Sequence, residues 1–156
     1  MSKSNAVGPR LPGKIERWPV GKLIPYERNA MTHSPEQIAQ IAASIQEYGF
    51  TAPIAVDEMG VILYGHGRLA ASLMLGLAEV PVLILDHLSE AQKRAYRIMD
   101  NRSAELACWD EELLAAELAQ LEGEGFDLEL TGFGDAELED LLHGETEIQE
   151  HFYNGP

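Results

Sequence analysis

The stretch Val61–Ala71, VILYGHGRLAA, constrains the fold most strongly. An apolar run with strand character stops at Gly65. A histidine, a second glycine and an arginine then lead into small residues with helical spacing. A glycine-bracketed turn from strand to helix presents backbone N–H groups that have no intrahelical partner and carry a partial positive charge. Such a turn binds anions readily. Gly65 and Gly67 permit positive φ and a close ligand approach. Arg68 adds a fork of donors matched to phosphate or carboxylate, and His66 can donate a bond or carry a proton. The same residues also suit a plain tight turn in which Arg68 pairs with a neighbouring carboxylate. Arg68 is nevertheless the only Lys or Arg between Arg28 and Lys93, so its position asks for an explanation.

Flanking signals place this turn in a small mixed fold. Ser34-Pro35-Glu36-Gln37 reads as a capping box with proline at the first helical position. The helix it opens carries Ile38, Ile41, Ala42, Ile45 and Tyr48 on one face and ends at Gly49. Pro53–Val56 and Val61–Tyr64 flank the turn DEMG and read as a hairpin. The helix after the glycine turn runs to Leu75 and closes at Gly76, and VPVLIL at 80–85 reads as a buried strand. Ser89-Glu90-Ala91-Gln92 is a second capping box, opening a helix to about Met99 that Asp100-Asn101-Arg102 interrupts. Earlier, Ile15–Leu23 reads as one or two short strands broken by Pro19 and Gly21, and 25–33 as a polar loop. Later, Asp110 caps a helix over 111–121, the stretch 123–134 is loop-like, and Asp135 starts a short helix to Leu142. The expected class is α+β: a small mixed β-sheet with packed helices, plus C-terminal helices. The expected divisions are a flexible lead (1–13), a sheet-bearing domain (14–103), an acidic helical extension (104–143) and a flexible tail (144–156).

Charge divides the chain at the same place. Residues 1–103 carry 11 Lys and Arg against 10 Asp and Glu, whereas 104–156 carry 16 Asp and Glu and no Lys or Arg. An acidic block repels phosphate backbones. Together with the length and acidity of the stretch joining the last two helices, it argues against a helix-turn-helix after residue 103. The block is read as a solvated surface or as a contact for a basic partner. A single cysteine, no signal-peptide pattern and no membrane-length apolar run point to a soluble, cytoplasmic chain without membrane attachment. No His, Cys or acidic spacing suggests structural zinc, and no catalytic-triad or Walker pattern is present. Trp18 and Trp109 read as packing residues, and His87, His143 and His151 as incidental.

The wider layout from residue 15 to 103 is similar to the N-terminal domain of the ParB/sulfiredoxin superfamily. It carries Ile24-Pro25, a polar loop, IAQIAASIQEYGF, PIAV and VILYGHGRLAASLMLGLAEVPVLIL. In chromosome-partition ParB proteins the loop reads N-P-x-x-P-R, the glycine turn G-E-R-R, and a later segment E-N-x-x-R. Here the turn is Gly65-His66-Gly67-Arg68 and the later segment Asp100-Asn101-Arg102. The loop is Asn29-Ala30-Met31-Thr32-His33-Ser34. It resembles the N-x-R-x-H-S of ParB-like domains found with phage DNA methyltransferases, with Met31 where arginine is common. That phage or bacterial subgroup also carries G-H-G-R and D-N-R before a W-D pair, as Trp109-Asp110 does here. Sulfiredoxins need a cysteine in the glycine turn, where this chain has His66.

The resemblance implies a nucleotide site for CTP or ATP with Mg²⁺. Its contacts would come from Asn29, Thr32, His33, Ser34, Gly65, His66, Gly67, Arg68, Asn101 and Arg102. Asp100 would be the metal-side carboxylate, and Asp100 and His66 the candidate catalytic pair. Three segments would then converge at one end of a sheet, and Arg68 would grip a phosphate. Three functions remain open: a nucleotide-binding switch or weak NTPase in DNA transactions, a ParB-like DNA nuclease, and a non-catalytic accessory module of a DNA methyltransferase or other basic partner. DNA contact, direct or through a partner, and self-association as a homodimer are further expectations of the resemblance.

Overall fold

The computed structural model describes residues 8–144. Four strands form one sheet: β1 (Glu16–Pro19), β2 (Ile54–Val56), β3 (Ile62–Tyr64) and β4 (Glu79–Ile84), in the order β1-β4-β2-β3. β1 runs antiparallel to β4, β4 parallel to β2, and β2 antiparallel to β3. The mixed sheet and the β2–β3 hairpin match the expectation from sequence. Helices α1 (Pro35–Tyr48) and α2 (His66–Met74) pack against each other, and α2 also touches β2. The core is Trp18, Leu23, Ile54, Val56, Ile62, Leu69, Val80 and Val82. β2 is buried along its whole length, so its IAV run is apolar without alternation. Small residues let α2 sit close: Gly67, Ala71 and Ser72 are buried, and the Ser72 hydroxyl donates to the Leu69 carbonyl at 2.7 Å.

Two local expectations are corrected. The Ser34 side chain does accept from the Gln37 amide at 3.1 Å, but the reciprocal half of the box is missing. The Gln37 side chain turns instead to His33, Nδ1 to Oε1 3.1 Å. The box at Ser89 and Gln92 is complete. Helix α3 (Glu90–Leu106) runs straight through Asp100-Asn101-Arg102. The segment holds no Gly or Pro to break it. Asn101 donates back to the Arg97 carbonyl at 3.0 Å, and Arg102 pairs with Glu105 at 2.9 Å. Polar residues that often end helices here bond within the helix.

The interior face of α3 is cationic. Its buried residues are Lys93 and Arg97, one turn apart. Lys93 Nζ, 2% exposed, lies 3.1 Å from Asp57, 2.8 Å from Glu58 and 2.9 Å from Glu90. Asp57, 4% exposed, occupies the turn between β2 and β3, where its other oxygen accepts from the Met59 and Val61 amides, both at 2.9 Å. Burial pushes the Asp57 carboxyl up, but the amide bonds and Lys93 outweigh it, and the net shift is downward. Hydrogen bonds to Glu58 and Glu90 raise Lys93 well above the ordinary lysine range despite its burial.

Beyond α3 lie α4 (Glu111–Gly123), a 3₁₀ turn (Leu128–Thr131), α5 (Asp135–Glu139) and a helical turn to Gly144. Leu118, Leu128 and Leu138 form a second small core, joined by Leu114, Leu121 and Phe133. This extension touches the main body where the Tyr48 hydroxyl donates to the Leu130 carbonyl at 2.9 Å. Trp18 is buried as expected. Trp109 is 67% exposed, with one face on Phe133 at 5.6 Å between ring centroids. Among the described residues no helix is long and apolar enough to cross a membrane. Most of the tail, His151 included, lies outside the described residues.

Replacing Lys93 with Met leaves Asp57 buried without its cation. The expected loss of unfolding free energy in urea titration is about 3 kcal/mol. Glu90→Gln, at a side chain 81% exposed, should change it by less than about 1 kcal/mol.

Candidate functional site

The glycine turn does its first work inside the fold. Gly65 has φ +104°, and a side chain there would meet Ile54 at 3.1 Å. A side chain at Gly67 would lie 2.9 Å from Ile41 and 3.2 Å from His33. The glycines therefore let β3, α2, α1 and the 25–33 loop close on one another. The space that Gly67 leaves is filled by Ile41 and His33. α2 starts without a side-chain cap at Gly65, which leaves its first-turn amides open.

Above this turn lies a cleft of about 310 Å³. Asn29 and His33 line it from the loop, Gly65, His66, Gly67 and Arg68 from the turn, and Asp100 and Asn101 from α3. The three segments expected to converge do meet here. Thr32, Ser34 and Arg102 are not on its wall. Ser34 caps α1, and Arg102, on the exposed side of α3, is taken up by Glu105.

His66 is fixed by its neighbours. Its Nε2 accepts a bond from the Tyr26 amide at 3.1 Å, which places the proton of the neutral ring on Nδ1. Burial lowers its pKa below the usual histidine value, and the Arg97 and His33 charges lower it further. Burial raises the Tyr64 hydroxyl, the Arg68 cation opposes the shift, and the Asp100 carboxylate reinforces it. Tyr64 thus feels the cation and the anion of the cleft together. Ion pairs among the described residues engage Arg10, Lys93 and Arg102, and Arg68 is in none of them. The plain turn with Arg68 held by a carboxylate is therefore not what the structure shows.

Sequence reasoning missed Arg97. It lines the cleft, is 9% exposed, and donates from Nε to the Ile62 carbonyl at 3.0 Å. Its guanidinium lies 3.7 Å from the centre of the Tyr26 ring. Its spacing was a usable signal. Arg97 follows Lys93 by four residues and precedes Asn101 by four, which puts all three on one helical stripe. Among the described residues no cluster of three or more His, Cys, Asp or Glu is arranged to hold a metal, and Asp100 is the carboxylate on the cleft wall.

Residues 12–102 match the ParB N-terminal domain, more than half of the chain. The chain belongs to the ParB N-terminal domain family. Residues 112–152 match the ParB-methyltransferase HTH domain, which overturns the expectation of no helix-turn-helix after residue 103. That expectation treated 123–134 as a plain acidic loop. In fact the 3₁₀ turn inside it buries Leu128 against α4 and α5 and makes a compact helical unit.

The ParB-like nuclease domain-containing protein YnaK of Escherichia coli (strain K12) is 47% identical over 81 residues, which are 52% of this chain and 93% of that protein. A probable plasmid-partitioning protein ParB of Thermus thermophilus is 37% identical over 73 residues, 45% of this chain and 24% of that protein. The fold is shared with a C-terminally truncated chromosome-partitioning protein ParB from Caulobacter crescentus complexed with CTP-gamma-S. That match has a TM-score of 0.71 and 20% identity, and covers 92% of this chain and 86% of the other.

The bond from Tyr26 requires an unprotonated His66 Nε2. His66 has a lowered pKa in the folded state, so its contribution is full above the unfolded value near 6.5. It is lost as pH falls through that value toward the folded one. NMR titration of the ring should give a midpoint below 6.5. Thermal stability should fall with acidification in that window, and His66→Gln should flatten the slope.

Proposed function

We propose that the cleft binds a nucleoside triphosphate, CTP or ATP, through its phosphates, and that the protein acts in DNA transactions. The observation that carries this reading is an unpaired arginine, Arg68, beside the uncapped start of α2 in a cleft that also holds Arg97, Asn29 and Asn101. Guanidinium and first-turn amides together match a phosphate chain. The Caulobacter protein of this fold, complexed with CTP-gamma-S, supports the ligand class, and the ParB and HTH matches support the setting.

The donor set fits Mg²⁺ in one respect. Asp100 is a lone exposed carboxylate on the cleft wall, and Mg²⁺ keeps several waters and takes much of its coordination from substrate phosphates. Asp100 would hold the ion, which would neutralise phosphate charge. His66, neutral and with its proton on Nδ1, is the group placed to carry a proton should hydrolysis occur. Two-metal phosphodiester cleavage usually needs several carboxylates, so the nuclease reading has less support from this donor set. A second reading, an accessory module for a DNA methyltransferase, draws on the match of 112–152 to the ParB-methyltransferase HTH domain.

Calorimetric titration with CTP, ATP, GTP and UTP, with and without Mg²⁺, tests the proposal. One nucleotide should bind saturably, and Arg68→Ala should weaken it by roughly tenfold or more. Asp100→Asn should remove the Mg²⁺ dependence and leave the fold intact. If no nucleotide binds, the proposal fails and the accessory-module reading leads.

A further inference from the structure

Beside the cleft is a second, smaller cavity of about 160 Å³. Its basic lining is Arg28, Arg94 and Arg97, and its apolar wall is Tyr26, Ala30 and Ile98. It shares Asn29, Arg97 and Asn101 with the cleft, so the two spaces adjoin across the Arg97 side chain. Arg28 and Arg94 take part in none of the ion pairs among the described residues. Arg97 is nine-tenths buried. Its Nε is engaged by Ile62, and its two terminal nitrogens, which no hydrogen bond among the described residues engages, remain accessible.

The chain has 26 carboxylates against 11 Lys and Arg. Three guanidiniums around one cavity without a carboxylate on its wall are therefore a local surplus of positive charge. Like charges lining one cavity repel, and a bound anion relieves the repulsion. Guanidinium donors arranged around a small cavity suit the oxygens of a phosphate, and the Tyr26 and Ile98 wall suits the sugar or base attached to it.

We propose that this cavity takes a second phosphate group of the same ligand, so that the paired cavities prefer a nucleotide phosphorylated on both its 5′ and 3′ oxygens. The proposal rests on the reading of the cleft as a 5′-phosphate site. The shared chemistry is a phosphate on the ribose 3′ oxygen, whether a monoester or the diester linking a following nucleotide.

The test compares nucleoside 5′-monophosphates with the 3′,5′-bisphosphates and the 5′-phosphorylated dinucleotides of cytidine and adenosine. Each is titrated by calorimetry into the full chain and into Arg94→Gln and Arg28→Gln, with melting curves to verify folding. The wild type should bind the bisphosphate or the dinucleotide roughly tenfold more tightly than the monophosphate. Both variants should lose that advantage while their monophosphate affinity stays unchanged. A gain with the bisphosphate alone identifies a terminal phosphate as the ligand group. An equal gain with the dinucleotide identifies a strand. Equal affinities in the wild type would overturn the second phosphate site and leave the cleft reading standing. Equal weakening of all ligands in the variants would also overturn it. Failure of every one of these ligands to bind a wild type that still binds CTP or ATP would overturn the second phosphate site alone, and failure of the triphosphates as well would sink both readings. Inorganic phosphate added to the monophosphate complex should not reproduce the gain. If it does so with dependence on Arg94, the group bound is free phosphate and the linked ligand is wrong.

Discussion

The candidate site depends on two cations beneath one helix. α3 meets the hairpin through its buried Lys93 and Arg97, with Tyr96 against Tyr64 at 6.3 Å between ring centroids beside them. Lys93 reaches the β2–β3 turn through Asp57 and Glu58, and Arg97 reaches the β3 backbone at Ile62. An apolar seam tolerates sliding, because dispersion and burial carry little direction. A buried cation among fixed acceptors does not, since a displaced partner leaves a charge without compensation. The register of α3 against β3 is thereby set, and with it the positions of Asp100 and Asn101 over the glycine turn.

The glycines follow from the same geometry at the other wall. Gly65 lies against Ile54 in β2, and Gly67 lets Ile41 and His33 approach α2. The 25–33 loop is then clipped to α2 by the bond from the Tyr26 amide to His66, and Tyr26 in turn stacks with Arg97 of α3. Loop, turn and helix are thus tied in a ring around the cleft by one histidine, one tyrosine and one arginine. His66 in this arrangement is first a fastener. Any chemistry it performs has to go through Nδ1.

Much of this was legible in the sequence, and the parts that were not share a cause. The capping residues Ser34, Ser89 and Asp110, the DEMG hairpin and the strand-glycine-helix turn are local, and local rules found them. The convergence of 29–34, 65–68 and 100–102 came from resemblance. The structure brings those segments to one cleft while sending Arg102 outward. Arg97 was missed because an arginine on a helix is usually solvated. Its burial depends on Tyr26 and Ile62, which are far away in sequence. The continuity of α3 was misjudged because Asp-Asn-Arg is a common helix end, and only the bonds to Arg97 and Glu105 show it continuing. The helical unit after residue 110 was underestimated because its core is three leucines spaced ten apart, a pattern without helical or strand period.

Charge separates the two halves of the chain. Of the five arginines in 12–102 that join no ion pair among the described residues, four, Arg28, Arg68, Arg94 and Arg97, line the cleft or the cavity beside it, and the fifth is Arg17. The region matching the HTH domain has none, since 104–156 carries 16 acids and no Lys or Arg. Affinity of proteins for duplex DNA draws heavily on cations that displace counterions from phosphates. That term has no source within residues 104–156 at neutral pH. DNA contact by this unit, were it to occur, would need cations from the arginine-bearing body or from a basic partner. The hydrogen bond from Tyr48 of α1 to Leu130 of its 3₁₀ turn places it next to that body. Arg68 also borders the space between α1 and this turn, so the residue proposed to bind phosphate in the cleft stands at the boundary between the two halves.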